Sequence, residues 1–304
     1  MIEKISQVEL TGDVIEDQDL SGVVIVGDSL VFGSDEGHAL QLFTKQAPNQ
    51  WIAQSSLLLS NKKSETDLEA VDYAGGFLYA VGSHSRRRRT LRPDRYKVKQ
   101  NRKRFAKIDR QKSRYRLFRI SFDDSRKVFG RAESIDLADL LKKDPHIGPF
   151  SKIPSKENGT DIEGLTLSGK SIYLGFRGPV LRHNLVPVWV LDFDNPKKYT
   201  QIFVNLNGQG IRDMASLEKG FLLLSGPVSD APGPFRLWLW DGNDQLPGID
   251  RSIQPVKLLG EFSAPAGAKA EGMTLLSQTD AQADLLLVYD SAENGGCTHY
   301  RVNL

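Results

Sequence analysis

The strongest constraint on this 304-residue chain is a phrase that it uses five times: a short polar or acidic opening, a small residue, an apolar strand, a turn and a second apolar strand. The copies are Asp19-Leu-Ser-Gly-Val-Val-Ile-Val with Ser29-Leu-Val-Phe-Gly-Ser, Asp67-Leu-Glu-Ala-Val with Phe77-Leu-Tyr-Ala-Val-Gly, and Asp161-Ile-Glu-Gly-Leu-Thr-Leu with Ile172-Tyr-Leu-Gly-Phe. Two more follow, Ile211-Arg-Asp-Met-Ala with Phe221-Leu-Leu-Leu-Ser-Gly and Lys269-Ala-Glu-Gly-Met-Thr-Leu with Leu285-Leu-Leu-Val-Tyr. A third alternating stretch comes next, as in Ala39-Leu-Gln-Leu-Phe, Tyr115-Arg-Leu-Phe-Arg-Ile, Val188-Trp-Val-Leu-Asp-Phe and Phe235-Arg-Leu-Trp-Leu-Trp, and then a fourth strand. Four strands per unit make a propeller blade, so the chain reads as all-β, a five-bladed β-propeller of four-stranded blades.

Spacing supports that count. With Ser21, Glu69, Glu163, Asp213 and Glu271 taken as equivalent, the intervals are 48, 94, 50 and 58 residues. The last unit supplies only three strands, whereas residues 2–10 form a strand with no blade of its own. The 33 residues after Glu271 and the 21 up to Ser21 give a composite blade of 54, so the N-terminal strand is expected to pair with the C-terminal blade. Closing the ring removes exposed sheet edges. Residues 1–304 therefore read as one domain, a length that all-β architectures reach without dividing.

The excess in the 94-residue interval lies mainly in a basic insertion at about 86–114, in the second blade, and in a linker over 141–160. The insertion has too few apolar residues for four alternating strands and is expected to be a loop or partly helical. Residues 86–119 hold 17 Lys or Arg against Asp94 and Asp109, a charge of +15; since the whole chain carries +2, the rest carries −13. An acidic body with one basic excursion points to an anionic partner: an anionic small molecule, or nucleic acid or another polyanion gripped by the 86–119 stretch. A solvated loop is the third reading. Sparse aromatics argue against a base-stacking platform.

The start of the sequence lacks the pattern of a secretory signal and no stretch has the length of a membrane span, so a cytoplasmic, membrane-free monomer is expected. The one cysteine, Cys297, fits a reducing compartment and an inert thiol. Trp189, Trp238 and Trp240 fall on third strands and read as packing residues.

Because successive strands of a blade are antiparallel, the inner strand begins on the face where the second strand ends. Ser21, Glu69, Glu163, Asp213 and Glu271 are thereby expected around one channel mouth. Like charges crowded in a partly desolvated site demand neutralisation. Glu69, Glu163, Asp213 and Glu271 would hold calcium or another divalent cation, since oxygen-rich sites favour such ions. Alternatively Arg177, Arg212 and Lys269 pair with these acids, or the acids bond to backbone amides at blade junctions. His84, in Gly82-Ser83-His84-Ser85, is the candidate acid or base, an anion-gripping group, or a hydrogen-bonded loop residue. Glu69 and Glu163 join it as catalytic candidates, with Ser83, Arg86, Arg177 and Arg212 as substrate-binding candidates. Ser21 and Ser83 lack the Gly-x-Ser-x-Gly elbow of a nucleophile, and His38, His146, His183 and His299 read as structural or exposed.

The motifs Asp19-Leu-Ser-Gly, Asp67-Leu-Glu-Ala, Gly82-Ser-His-Ser, Asp161-Ile-Glu-Gly, Leu174-Gly-Phe-Arg-Gly-Pro and Ile211-Arg-Asp resemble those of an uncharacterised bacterial propeller family, a domain of unknown function, over nearly the whole chain. More distantly, the repeated acidic Glu-Gly opening is similar to that of the esterase-like phytase propellers, which implies calcium-dependent attack on phosphate esters. The functional expectation is a metal-assisted hydrolase of a phosphate-ester-like small molecule at the channel mouth. Its rival is a propeller that binds a protein, nucleic acid or other polyanion through the same face without catalysis.

Overall fold

The computed structural model describes residues 2–60 and 65–304. Five antiparallel blades form a ring, each running from an inner strand at the axis to an outer one. Blade 1 is built from Leu20–Val26, Ser29–Ser34, Ala39–Ala47 and Gln50–Leu58. Blade 2 uses Leu68–Ala74, Phe77–Gly82, Arg116–Asp123 and Val128–Asp136. Blade 3 uses Asp161–Ser168, Ser171–Gly178, Leu185–Leu191 and Thr200–Asn205. Blade 4 has Gly210–Ser216, Phe221–Gly226, Phe235–Trp240 and Lys257–Phe262.

Blade 5 closes the ring. Its first three strands are Lys269–Gln278, Gln282–Asp290 and Thr298–Asn303, and its outermost is Ile2–Gln7, paired antiparallel with Thr298–Asn303. The sequence reading of one strand over residues 2–10 needs correction. The chain breaks pairing at Val8, whose N–H donates to the Cys297 carbonyl at 2.8 Å, and Glu9–Thr11 then runs parallel to Gln50–Leu58 on blade 1. The first eleven residues thus bridge blade 5 to blade 1, covering two edges that would otherwise offer free backbone groups.

Apolar side chains of adjacent blades interlock. Trp189, Trp238 and Trp240 are buried, Trp189 stacks on Tyr199 with centroids 4.2 Å apart, and Trp238 Nε1 donates to Ser225 Oγ at 2.7 Å. Buried carboxylates also stitch the inner strands. Asp72 of blade 2 accepts from Leu167 N at 2.8 Å and Thr166 Oγ1 at 3.0 Å in blade 3, satisfying one amide and one hydroxyl of the neighbouring inner strand.

The basic insertion lies between the second and third strands of blade 2. Arg87–Arg88 pairs with Ile108–Asp109 as a short ribbon, and between them lies one helix, Val98–Phe105. The Lys97 N–H donates to Gln100 Oε1 at 3.0 Å at the helix start, while Arg102, Lys103 and Arg104 in the last turn suit the negative end of its dipole. Arg88 ion-pairs with Glu157, lies 5.1 Å from the centroid of the Phe105 ring and donates to the Phe105 carbonyl at 2.7 Å. Arg89 pairs with Asp109 at 2.6 Å. These contacts tie the insertion down beside the channel mouth. Among the described residues no helix is long and apolar enough to cross a membrane.

Candidate active site

The same irregularity occurs at the start of every inner strand. Pairing between first and second strands slips by one between Leu20 and Gly22, Leu68 and Ala70, Ile162 and Gly164, Ile211 and Asp213, and Ala270 and Gly272. The residues left out of the ladder are Ser21, Glu69, Glu163, Arg212 and Glu271. A bulge of this kind frees a residue from pairing and re-aims its side chain. The cause is local: a buried apolar residue precedes each skipped position, and in four blades a Gly or Ala follows it. At Gly22 a Cβ would lie 2.9 Å from the Ala70 Cα of the next blade, so a side chain there would hold the inner strands apart.

This register corrects one assignment. Arg212, not Asp213, occupies the fourth ring position, and Asp213 stands where the other blades carry Gly or Ala. Its Oδ1 accepts from Met214 N at 2.8 Å and its Oδ2 from Met273 N at 2.6 Å. Asp213 is therefore a junction carboxyl, held above the usual carboxylate range chiefly by burial, and it belongs to no cation cluster at the mouth.

The ring opens into a cavity of about 510 Å³. Asp35, Asp67, Glu69, Asp161, Glu163 and Glu271 line it from the propeller, and Arg87, Arg88, Arg89, Leu91 and Phe105 line it from the insertion. Arg177 reaches Asp161 at 2.5 Å and Glu163 at 2.6 Å, and Arg212 reaches Glu271 at 2.7 Å and Glu163 at 3.1 Å. Arg114 pairs with Asp67 at 2.7 Å and also with Glu65. Lys269 pairs with Asp290 at 2.5 Å. The pairing of Arg177 and Arg212 with ring acids, one of the alternatives read from the sequence, is thus present, whereas Lys269 pairs with Asp290 at the end of the second strand of blade 5 instead. This pairing does not balance the site, because nine carboxyls line the cavity against seven cations, Arg87, Arg88, Arg89, Arg114, Lys156, Arg177 and Lys269.

The imbalance falls on Asp35, which has no ion pair among the described residues, and on Glu69. Glu69 is 9% exposed and has no hydrogen bond or ion pair among the described residues. One oxygen each from Glu69, Asp161 and Glu163 lie within 4.8 Å of one another. Asp161 Oδ1 and Glu163 Oε2 also lack a hydrogen-bond partner, the latter because Arg212, although close, is outside hydrogen-bonding geometry. Burial first, then the charges of Asp67, Glu163, Asp161 and Glu271, push Glu69 well above the usual carboxylate range. Burial likewise raises Asp161 to about 8 and Glu271 to about 7, with Arg177 and Arg212 respectively opposing the rise. Asp35 is pushed up to about 9 by burial and by Glu271, Asp67 and Asp290.

Three further candidates sit differently from expectation. Ser83 does not line the cavity; its Oγ donates to Asp67 and lies 2.9 Å from Ser85 Oγ, so it positions an acid. His84 and Arg86 face away. Along this segment Ser83 and Ser85 turn toward the channel and the intervening residues outward, and His84 has a left-handed backbone at φ 56°. Its Nδ1 donates to the Gly82 carbonyl at 2.5 Å, and burial lowers its pKa to about 4, which removes it from proton transfer in the cavity. Sequence reasoning did not single out Asp67, Asp161 and Arg114; the two acids had a partial signal, since an Asp precedes the bulge Glu by two in both Asp67-Leu-Glu69 and Asp161-Ile-Glu163, whereas nothing sets Arg114 apart from the basic residues around it.

Fold and site define a five-bladed propeller with a carboxyl-rich, arginine-bridged channel mouth under a basic cap. Residues 19–301 match the family described as "Protein of unknown function (DUF3616)", and the chain belongs to it. No curated protein matches the sequence. Among solved structures, Myxococcus xanthus glutaminyl cyclase is similar at 10% identity and TM-score 0.53, over 99% of this chain and 96% of that one. An exo-β-1,3-galactanase from Clostridium thermocellum is similar at 9% identity and TM-score 0.52, over 98% of this chain and 61% of that one. The corresponding galactanase from Phanerochaete chrysosporium is similar at 11% identity and TM-score 0.51, over 99% and 64%. At these identities the likeness concerns the fold.

Proposed function

We propose that the protein is a hydrolase whose chemistry takes place in the carboxyl-lined cavity, on a small molecule bearing an anionic, phosphate-ester-like group. The observation that carries this reading is Glu69, a buried carboxyl without a partner among the described residues, facing two others whose oxygens are also incompletely bonded. A fold gains nothing from such an arrangement, whereas an active site uses it. Three oxygens within 4.8 Å fit one hard cation, because ligands at ~2.3–2.6 Å from calcium are at most about 5 Å apart. Glu69, Asp161 and Glu163 would hold the cation, which when bound supplies charge neutralisation and polarises a substrate oxygen. Arg177 orients Asp161 and Glu163; Glu271, raised to about 7, is suited to exchange a proton near neutrality. Arg87, half-exposed and only loosely paired with Glu36 at 3.4 Å and Glu65 at 3.6 Å, is the guanidinium best able to grip an anionic group.

Calcium-dependent turnover of p-nitrophenyl phosphate or its diester is the test. Glu69→Gln and Glu163→Gln are expected to lower kcat by roughly 10²–10⁴ while preserving the far-UV spectrum and melting cooperativity. Wild-type rates in both variants, or no turnover of either ester with calcium, magnesium or manganese, would defeat the reading.

A second reading is supported by the outer face of the cap. Lys97, Lys99, Arg102, Lys103 and Lys107 are exposed and have no carboxylate partner among the described residues. Capture of nucleic acid or another polyanion there would weaken steeply with salt and would be insensitive to Glu69→Gln.

A further inference from the structure

His84 and Arg86, which turn away from the channel, meet in a second recess of about 160 Å³ between the base of the insertion and the segment that leads into blade 3. Its buried part is formed by His84, 1% exposed, Thr160, 2% exposed, and the half-buried Arg86. Each contributes a buried polar atom with no hydrogen-bond partner: His84 Nε2, Thr160 Oγ1 and Arg86 Nε. Buried polar atoms are rarely left so, and three around one recess imply a ligand that completes them. Arg110, Lys142 and Lys152 stand at the rim.

Charge gives the ligand's sign. Arg86, Arg110, Lys142 and Lys152 have no ion pair among the described residues, whereas Arg88, Arg89, Arg114, Arg177 and Arg212 each do. Asp139 is the one acid lining the recess, which leaves an excess of three positive charges over a small polar hollow. Arg110 also lies over the Tyr115 ring at 4.9 Å, which holds its guanidinium at the edge of the recess.

The histidine tautomer narrows the choice. A carbonyl only accepts, so the 2.5 Å contact from Nδ1 to the Gly82 oxygen places the ring proton on Nδ1 and leaves a lone pair on Nε2. The recess therefore offers donors from Arg86, Thr160 and the rim, and one acceptor from His84. A fully deprotonated oxyanion satisfies only the donors; a phosphate that retains one proton satisfies both.

We propose that this recess is a second ligand site, separate from the channel, that takes a proton-bearing phosphate group, either free phosphate or the terminal group of a phosphorylated small molecule. Its position at both ends of the insertion means that a bound phosphate would fix the root of the cap whose Arg87, Arg88 and Arg89 line the main cavity.

The test is isothermal titration of the full chain with inorganic phosphate, glycerol phosphate and sulfate at pH 6.5, with His84 ring resonances followed by NMR. Phosphate is expected to bind at least tenfold more tightly than sulfate and to shift the His84 ring. Arg86→Met is expected to weaken binding at least tenfold. The double variant Arg110→Gln with Lys152→Gln, which alters only exposed side chains, is expected to weaken it several-fold without perturbing the fold. Arg87→Met, in the channel cavity, is expected to leave the phosphate-induced shift of the His84 ring unchanged. Binding of both phosphates assigns the site to a phosphorylated molecule, and binding of inorganic phosphate alone assigns it to the free ion. Sulfate binding as tightly as phosphate, loss of binding in Arg87→Met but not in the recess variants, or no binding at all would overturn the proposal.

Discussion

Replacing Glu69 by Gln isolates the charge imbalance at the channel mouth. Gln has the shape of a protonated glutamic acid, so the substitution removes only the ability to ionise. Burial and neighbouring acids raise the Glu69 pKa in the folded protein, whereas the unfolded chain keeps the ordinary value of about 4.3. Above that pH the folded state holds a proton that the unfolded state has lost, and wild-type stability declines as pH rises until the raised folded pKa is passed. The slope contributed by one such group is at most about 1.4 kcal/mol per pH unit. Glu69→Gln cancels it.

In cation-free buffer containing EDTA, the variant and wild type are therefore expected to unfold within about 0.5 kcal/mol of one another at pH 5. By pH 7.5 the variant should be more stable by about 1–3 kcal/mol, below the limit set by the slope because the cavity admits some water. Urea denaturation at pH 5, 6, 7 and 8 measures the gap, with m-values checked for constancy. A gap that stays constant across this range, or a variant less stable at every pH, would refute the argument, since either would mean that Glu69 is satisfied in the folded protein.

Three further outcomes follow from the same geometry. Calcium binding should expel protons from Asp161, raised to about 8, so affinity should increase roughly tenfold per pH unit from 6 to 8 and the titration heat should vary with buffer ionisation enthalpy; pH-independent binding would contradict this. Arg177→Met should cost about 3–5 kcal/mol by stripping Asp161 and Glu163 of their shared guanidinium; chemical denaturation checks it, and a loss below about 1 kcal/mol would contradict it. Gly22→Ala should cost about 1–3 kcal/mol, because its methyl would meet the Ala70 backbone at 2.9 Å and push two inner strands apart, as thermal unfolding would register.

The propeller was legible because period-2 alternation and a recurring strand-opening phrase survive in a single sequence, and because the surplus N-terminal strand and the incomplete last unit complement each other. Residues 2–10 were misread as one strand since nothing local marks the break at Val8, which the Cys297 carbonyl imposes from across the ring. Asp213 was misplaced for a different reason. Aligning repeats by charge matched it to Glu69 and Glu163, whereas aligning by the buried apolar residue before the bulge, Leu68, Ile162, Ile211 or Ala270, puts Arg212 in the ring. His84 looked exposed to the channel because it ends a second strand. Whether a strand-end residue faces inward depends on one backbone dihedral, and a left-handed His84 is not something that residue type announces.

The Arg212 position explains why the ring is built as it is. Had all five bulges carried acids, every neutralising cation would have had to come from outside the bulge ring, as Arg177 does. One guanidinium within the ring instead bridges Glu163 and Glu271 from its own bulge, and Arg177, from the second strand of blade 3, covers Glu163 and Asp161. Those contacts neutralise one arc of the channel. Ser21 is uncharged, its Oγ donating to the Leu68 carbonyl, which leaves Glu69 as the ring acid without an ion pair among the described residues. Neutral residues at two bulges would have relieved Glu69 as easily as one Ser relieves its own position, so among the bulge positions the unpaired acid is confined to blade 2, which carries the basic cap. That confinement is what a binding site for a cation and an anionic substrate requires, and it is the reason Glu69, not Glu271 or Glu163, is the residue on which the stability and turnover experiments both bear.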